Sequence, residues 1–172
     1  MTQNDQTVEM DDSFDSQDVE GDRHTASAET LTNDELLEQS QANAQAAIIA
    51  TVAFLRDEGL SIEHWAHALG GTFALGWDDP RPWDAGEFLD AMLTNFRSIG
   101  ATVISSQIGD DIAEADIRDF PDLELCALFG VDPQQVALFN NATAVIASQR
   151  GLTWEWQLAS GQTHYVVRRA DS

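Results

Sequence analysis

DPQQVALFNNATAVIASQRGLTWEWQLASGQTHYVVRR, residues Asp132 to Arg169, carries a helical and then a strand pattern and decides the fold. Asp132 can accept hydrogen bonds from free backbone N–H groups as N-cap, Pro133 suits the first helical position, and Gln135 completes a capping box. Val136, Phe139, Ala142, Thr143 and Ile146 recur at helical spacing and form one apolar stripe. Arg150 suits the negative end of the helix dipole, and Gly151 can take the left-handed conformation that ends a helix. The pattern then changes to strict alternation. Leu152, Trp154, Trp156 and Leu158 point one way, and Thr153, Glu155 and Gln157 the other. Ser160-Gly161 supplies a turn, and Thr163 to Arg169 returns as the second strand of a hairpin.

Three helices precede this unit. Thr32 to Glu35 reads as a capping box. It opens a helix to about Asp57, with Leu36, Leu37, Ala44, Ala47, Ile48, Val52 and Leu55 near one face. Ser61 caps a second helix, with Ile62, Trp65, Leu69 and Phe73 as its stripe. Gly70-Gly71 within it marks either a break or the close approach of another backbone. WDDPRPWD, from Trp77 to Asp84, is a loop punctuated by two prolines. Asp84 and Glu87 open a third helix whose stripe is Ala85, Phe88, Leu89, Met92, Phe96 and Ile99. Ala101 to Ile108 reads as a strand, Gly109-Asp110 as a turn, and Ala113, Ala115 and Ile117 alternate with charged residues along a second strand. Leu123 to Phe129 is a short helical linker. The expected fold is therefore α+β: about four helices packed on an antiparallel sheet of about four strands, made of two hairpins.

The 172 residues divide into an acidic tail over 1–30, expected to be disordered, and a single domain over 31–172. The chain has 30 acids against 8 bases, and every base is Arg. A net charge of −22 opposes binding to nucleic acid or to an anionic membrane surface. Such a composition fits either a high-salt cytoplasm or a GC-rich genome. Cys126 is the lone cysteine and lies in an apolar run, so no disulfide framework or thiolate metal cluster is expected. No signal peptide and no apolar run of ~20 residues is seen, which points to a soluble cytoplasmic protein.

No catalytic constellation stands out. His64 and His67, three apart with Glu63 beside them, read as polar-face residues rather than metal ligands, since the spacing of four and a third ligand are missing. Asp78, Asp79 and Asp84 share a loop with Arg81, where ordinary turn chemistry competes with acid–base work. There is no phosphate loop, dinucleotide fingerprint or nucleophile elbow, and no cofactor is expected. The surplus lies in large rings. Trp65, Trp77, Trp83, Trp154, Trp156 and Tyr165, with Arg168, Glu155, His164 or Tyr165 as polar anchors, suggest an apolar pocket between the helices and the concave sheet. The expected partner is an apolar small molecule, in a binding or sensor domain, and a homodimer stays open as a state of assembly.

The segment DEGLSIEHWAHALG, the break from helix to strand at Gly100, and the closing pattern RGLTWEWQ, turn, GQTHYVVRR together resemble two related groups. These are the 4-vinyl reductase-type small-molecule-binding domain and the L-2-amino-thiazoline-4-carboxylate hydrolase-like domain. The resemblance implies a small-molecule site, or hydrolysis of a small carboxylated heterocycle with Asp78, Asp79, His64 and His67 as the residues to examine. Members of those groups often carry cysteines near the last strand. This chain has His164 and Tyr165 there, so no catalytic residue is carried over. A third reading is an adaptor whose acidic tail meets a basic partner.

Overall fold

The computed structural model describes residues 31–77 and 82–170. The expected acidic tail, and Asp78, Asp79 and Arg81, lie outside the described residues. Six α-helices and four strands follow in the order α1 (Asn33–Asp57), α2 (Ile62–Ala74), α3 (Ala85–Ser98), β1 (Thr102–Gln107), β2 (Ile112–Arg118), α4 (Leu123–Leu128), α5 (Pro133–Ala137), α6 (Asn141–Ser148), β3 (Leu152–Ala159) and β4 (Gln162–Arg169). Short 3-10 turns at Leu75–Trp77 and Leu138–Asn140 follow α2 and α5.

The two hairpins join through their returning strands. The sheet order is β1-β2-β4-β3, antiparallel throughout, with Ala115 opposite Tyr165 and Tyr165 opposite Trp156. Strand alternation delivers Ala113, Ala115, Ile117, Trp154, Leu158, Tyr165 and Val167 to the covered face, where all are buried. The α+β class expected from sequence is the class observed. Helix α3 lies against β1, β2 and β4, while α2 packs most closely on α6, and α1 on α2, α4 and α5. The domain thus has a sheet, helices that cover it, and further helices packed mainly on those helices.

The caps explain where the helices begin. Thr32 accepts from the Glu35 N–H, and the Glu35 carboxylate accepts from the Thr32 N–H at 2.7 Å, closing the expected box. The Thr32 N–H and then the Thr32 hydroxyl, both donating to the carboxylate, hold the Glu35 carboxyl below its ordinary value. Ser61 and Asp84 cap α2 and α3 through the N–H groups of His64 and Glu87. Asp132 caps α5 through the Gln134 N–H, not as the box with Gln135 that the sequence suggests.

Two expectations need correction. Leu36 and Leu37 are 52% and 56% exposed, so the buried face of α1 begins only with Gln45 and continues through Ile49, Val52 and Leu55. The helix expected to run on from Pro133 is interrupted by the 3-10 turn, and the two asparagines there explain the interruption. Asn140 accepts from the Tyr165 hydroxyl at 3.0 Å, and Asn141 accepts from the Trp156 indole at 3.0 Å. Turning the chain at this point aims both amides at the strand rings, which have buried or half-buried donors to satisfy.

Gly70 settles the question raised by the glycine pair. A Cβ there would stand 2.4 Å from the Ala142 carbonyl oxygen, so α2 continues and α6 comes close. Gln45, buried on α1, donates to the Asp119 carbonyl at 2.8 Å and accepts from the Asp122 N–H at 3.0 Å. It ties the long helix to the turn after β2. Among the described residues no helix is long and apolar enough to cross a membrane.

Candidate functional site

Three of the apolar stripes read from sequence converge on one cavity of about 550 Å³. Helix α2 contributes Trp65, Leu69 and Phe73, one per turn, and the following 3-10 turn contributes Gly76 and Trp77. Helix α3 contributes Met92, Asn95, Phe96 and Ile99 from the same face. Phe139, Ala142, Thr143 and Ile146 come from the turn before α6 and from α6 itself. Ala47, Ile48 and Thr51 of α1 close the remaining side. The spacing of three and four residues explains the convergence, since it stacks side chains along one helix face.

The wall is apolar with few polar atoms. The Thr51 hydroxyl donates to the Ala47 carbonyl and the Ser98 hydroxyl to the Asn95 carbonyl, so both are bonded on their own helices. Among the described residues the Asn95 amide, the Thr143 hydroxyl and the indole N–H groups of Trp65 and Trp77 are the other polar side-chain groups at the wall, and Thr143 is 5% exposed. No charged side chain lines the cavity among the described residues.

The sequence places a pocket between the helices and the sheet; in the structure that space is filled. Phe96 stacks on Tyr165 at 5.2 Å and 17°, Trp154 meets Tyr165 at 4.6 Å, and Phe88 meets Trp154 edge-on at 6.1 Å. The cavity lies one layer further out, among the helices. Of the seven expected ligand-binding residues, Trp65 and Trp77 line it. Trp83 is half-buried and packs on Trp77 at 5.3 Å. Trp154 and Tyr165 are core residues, and burial pushes the Tyr165 phenol far above its ordinary value. Trp156 is half-buried on its bond to Asn141.

Arg168 lies on the opposite face of the sheet, 3.0 Å from Glu155, with both partly exposed. Strand alternation separates these two from Trp154 and Tyr165, and the same alternation puts His164 on the outer face. Asp116 there accepts from the Ser105 hydroxyl at 2.7 Å and sits 2.9 Å from His164 Nδ1. Those bonds, the Ser105 bond first, hold the Asp116 carboxyl below its ordinary value. Ser105, Asp116 and His164 form a row across β1, β2 and β4, with the serine bonded to the aspartate rather than to the imidazole. That arrangement leaves the hydroxyl without the base a nucleophile needs.

His64 and His67 are exposed on α2 and are not among the cavity-lining residues. Among the described residues no group of three or more His, Cys, Asp or Glu could hold a metal ion. Cys126 is buried between α1 and its neighbours, and burial, reinforced by Asp122 and Asp132, pushes its thiol up to about 11. It packs as a small apolar residue in that position.

Leu69, Phe73, Met92, Asn95, Phe96, Phe139 and Thr143 are among the cavity residues that no sequence motif marks as a site. Most of them belong to stripes that the sequence marks as core, and no pattern distinguishes a stripe facing a void from one facing another side chain. No family model, curated protein or solved structure matches this chain.

Proposed function

We propose that the domain is a small-molecule-binding or sensor module that takes an apolar ligand into the cavity among α1, α2, α3 and α6. One observation carries this reading: a space of about 550 Å³ walled by rings and aliphatic side chains, with only a few polar atoms. That size falls within the roughly 300–1,000 Å³ of ligand pockets, and the lining has their usual mix of apolar wall and sparse polar handles. Hydrolysis gains no such support. His64 and His67 are exposed, and Asp78 and Asp79 lie outside the described residues. The adaptor reading rests on residues 1–30, also outside them.

The test is a titration with N-phenyl-1-naphthylamine, a neutral probe that brightens in apolar surroundings. It should bind saturably and quench tryptophan emission through Trp65 and Trp77. Leu69→Trp adds a ring at the cavity wall and should weaken binding at least about tenfold, since the added volume occupies the ligand's space. Probe binding that is unchanged in a folded Leu69→Trp variant would place the probe elsewhere and overturn the assignment.

A further inference from the structure

The cavity also has an electrostatic character, and this step rests on the binding reading above. We propose that its occupant is a lipophilic organic cation, an onium or amine whose positive charge is spread over, or screened by, aromatic and alkyl groups. Three independent observations lead there.

The first is what the wall lacks. No arginine lines the cavity among the described residues, and the chain contains no lysine at all. A carboxylate or phosphate entering would lose part of its hydration and meet no cation among the described lining residues, which is unfavourable. The second is what the wall holds. Trp65, Trp77, Phe96 and Phe139 border the space, and aromatic faces attract cations through the ring quadrupole. Among the described residues the Asn95 amide and the Thr143 hydroxyl each bring to the wall an oxygen that can accept from an N–H or face a positive centre, beside the indole N–H donors of Trp65 and Trp77.

The third is the field outside. The chain carries −22, and from Thr32 onward 21 acids face 7 arginines, a formal −14 for the domain alone. A field of that sign concentrates cations near every opening and depletes anions. A compact ammonium or a metal ion is nevertheless disfavoured, because among the described residues no carboxylate lines the cavity to offset the loss of its tightly held water. A diffuse, weakly hydrated cation avoids that cost and still gains from both the rings and the field.

Tetraphenylphosphonium and tetraphenylborate are nearly the same shape with opposite charge, and N-phenyl-1-naphthylamine serves as the neutral reference. All three are titrated into the full chain. At ~0.01 M sodium chloride the phosphonium should bind at least about tenfold tighter than the borate, from the summed field and the rings together. At ~1 M the screening length falls to about 3 Å and the field's share is lost, yet a preference of about threefold should remain from the rings. Trp65→Leu keeps an apolar wall but removes one π face. It should weaken both probes through the lost wall area, the phosphonium at least about threefold more than the neutral probe.

Borate binding as tightly as phosphonium at either salt level, with the neutral probe still bound, would overturn the cation and leave the cavity reading intact. Equal weakening of phosphonium and neutral probe by Trp65→Leu would also overturn it, since the ring would then act only as apolar surface. Failure of all three probes to bind would instead remove the binding reading on which the inference rests.

Discussion

Two layers of this domain are rich in rings, and only one of them is filled. On the covered face of the sheet, Trp154, Tyr165, Phe96, Phe120 and Phe88 touch in a continuous cluster, and all are buried. Among the helices, Trp77 and Phe139 meet core rings at the edges of the cluster, Trp65 meets Phe139, and all three also border the cavity. The difference follows from how each element presents its side chains. A sheet puts alternate residues on one plane at fixed separation, so paired strands and the helix above them can close over it. Two helices meet along ridges instead, and their separation is set by the side chains at the closest point. For α2 and α6 that point is Gly70 against Ala142, where the backbones nearly touch. Where α2 carries Trp65, a ring pair at 6.1 Å spans to Phe139.

The filled layer should respond most strongly to truncation. Trp154→Ala removes a ring 7% exposed and surrounded by other rings, and should cost ~3–5 kcal/mol in denaturant melts. Trp65→Ala removes a ring that already faces empty space, so its loss should be well under half of that, about 1–2 kcal/mol. Equal losses would mean that the helix layer is packed as tightly as the sheet layer in solution, with no room for a ligand.

Gly70→Ala comes next. The added Cβ would stand 2.4 Å from the Ala142 carbonyl oxygen and 2.9 Å from its Cα. Both are backbone atoms, so no rotamer change relieves the clash and the helices must part. Alanine's better helix propensity recovers ~1 kcal/mol, and the net should still be a loss of about 1–3 kcal/mol. The probe titration should shift as well, because Ala142 is part of the wall. A variant that melts higher than the parent would show that the close approach does not hold in solution.

The sheet layer was legible in the sequence because alternation commits a whole strand at once. A slip of one residue would expose Leu152, Trp154, Trp156 and Leu158 together, and these four do lie on the covered side, Trp156 half-buried and the rest buried. The helix stripes were equally visible, yet a stripe records only that a face is apolar. It does not say whether another side chain or a void lies opposite, which depends on the separation of helices distant in sequence. Gly70 held part of that information, since a glycine in mid-helix hints at close approach, but its partner Ala142 carries no signal. The asparagine pair at 140 and 141 was also readable: neither amide favours a helix interior, and each marks a bond to the sheet. Leu36 and Leu37 misled for the opposite reason. Their spacing suits a buried face, but the start of α1 has no neighbour to bury them.

Ser105, Asp116 and His164 on the outer face of the sheet are partly exposed, and their bonds are correspondingly weak. Asp116 joins Ser105 and His164 there, and Asp116→Asn should cost no more than ~1 kcal/mol near neutral pH, as for exposed charged pairs. The pH dependence gives the sign. The folded carboxyl titrates below the ordinary 3.8, so its contribution is complete above that value and is lost as pH falls through the lowered one. The gap between parent and variant should therefore close in acid, as read from paired melts across that range. A gap that widened on acidification would show that the carboxylate is not the favoured form in the folded state.

Glu155 should give the smallest effect, although it lies between Trp154 and Trp156 in the chain. Its carboxylate is 3.0 Å from Arg168, but the two side chains are 63% and 43% exposed, so water and salt screen the pair. Alternation also turns it to the uncovered face, where its removal opens no cavity. Glu155→Ala should therefore change stability by less than ~0.5 kcal/mol. Set beside Trp154→Ala, one position away, it reads the strand register directly. Comparable losses for the two substitutions would require both faces of β3 to be buried, by a second copy of the chain or by a shifted pairing, and the division into a filled face and an open one would not stand.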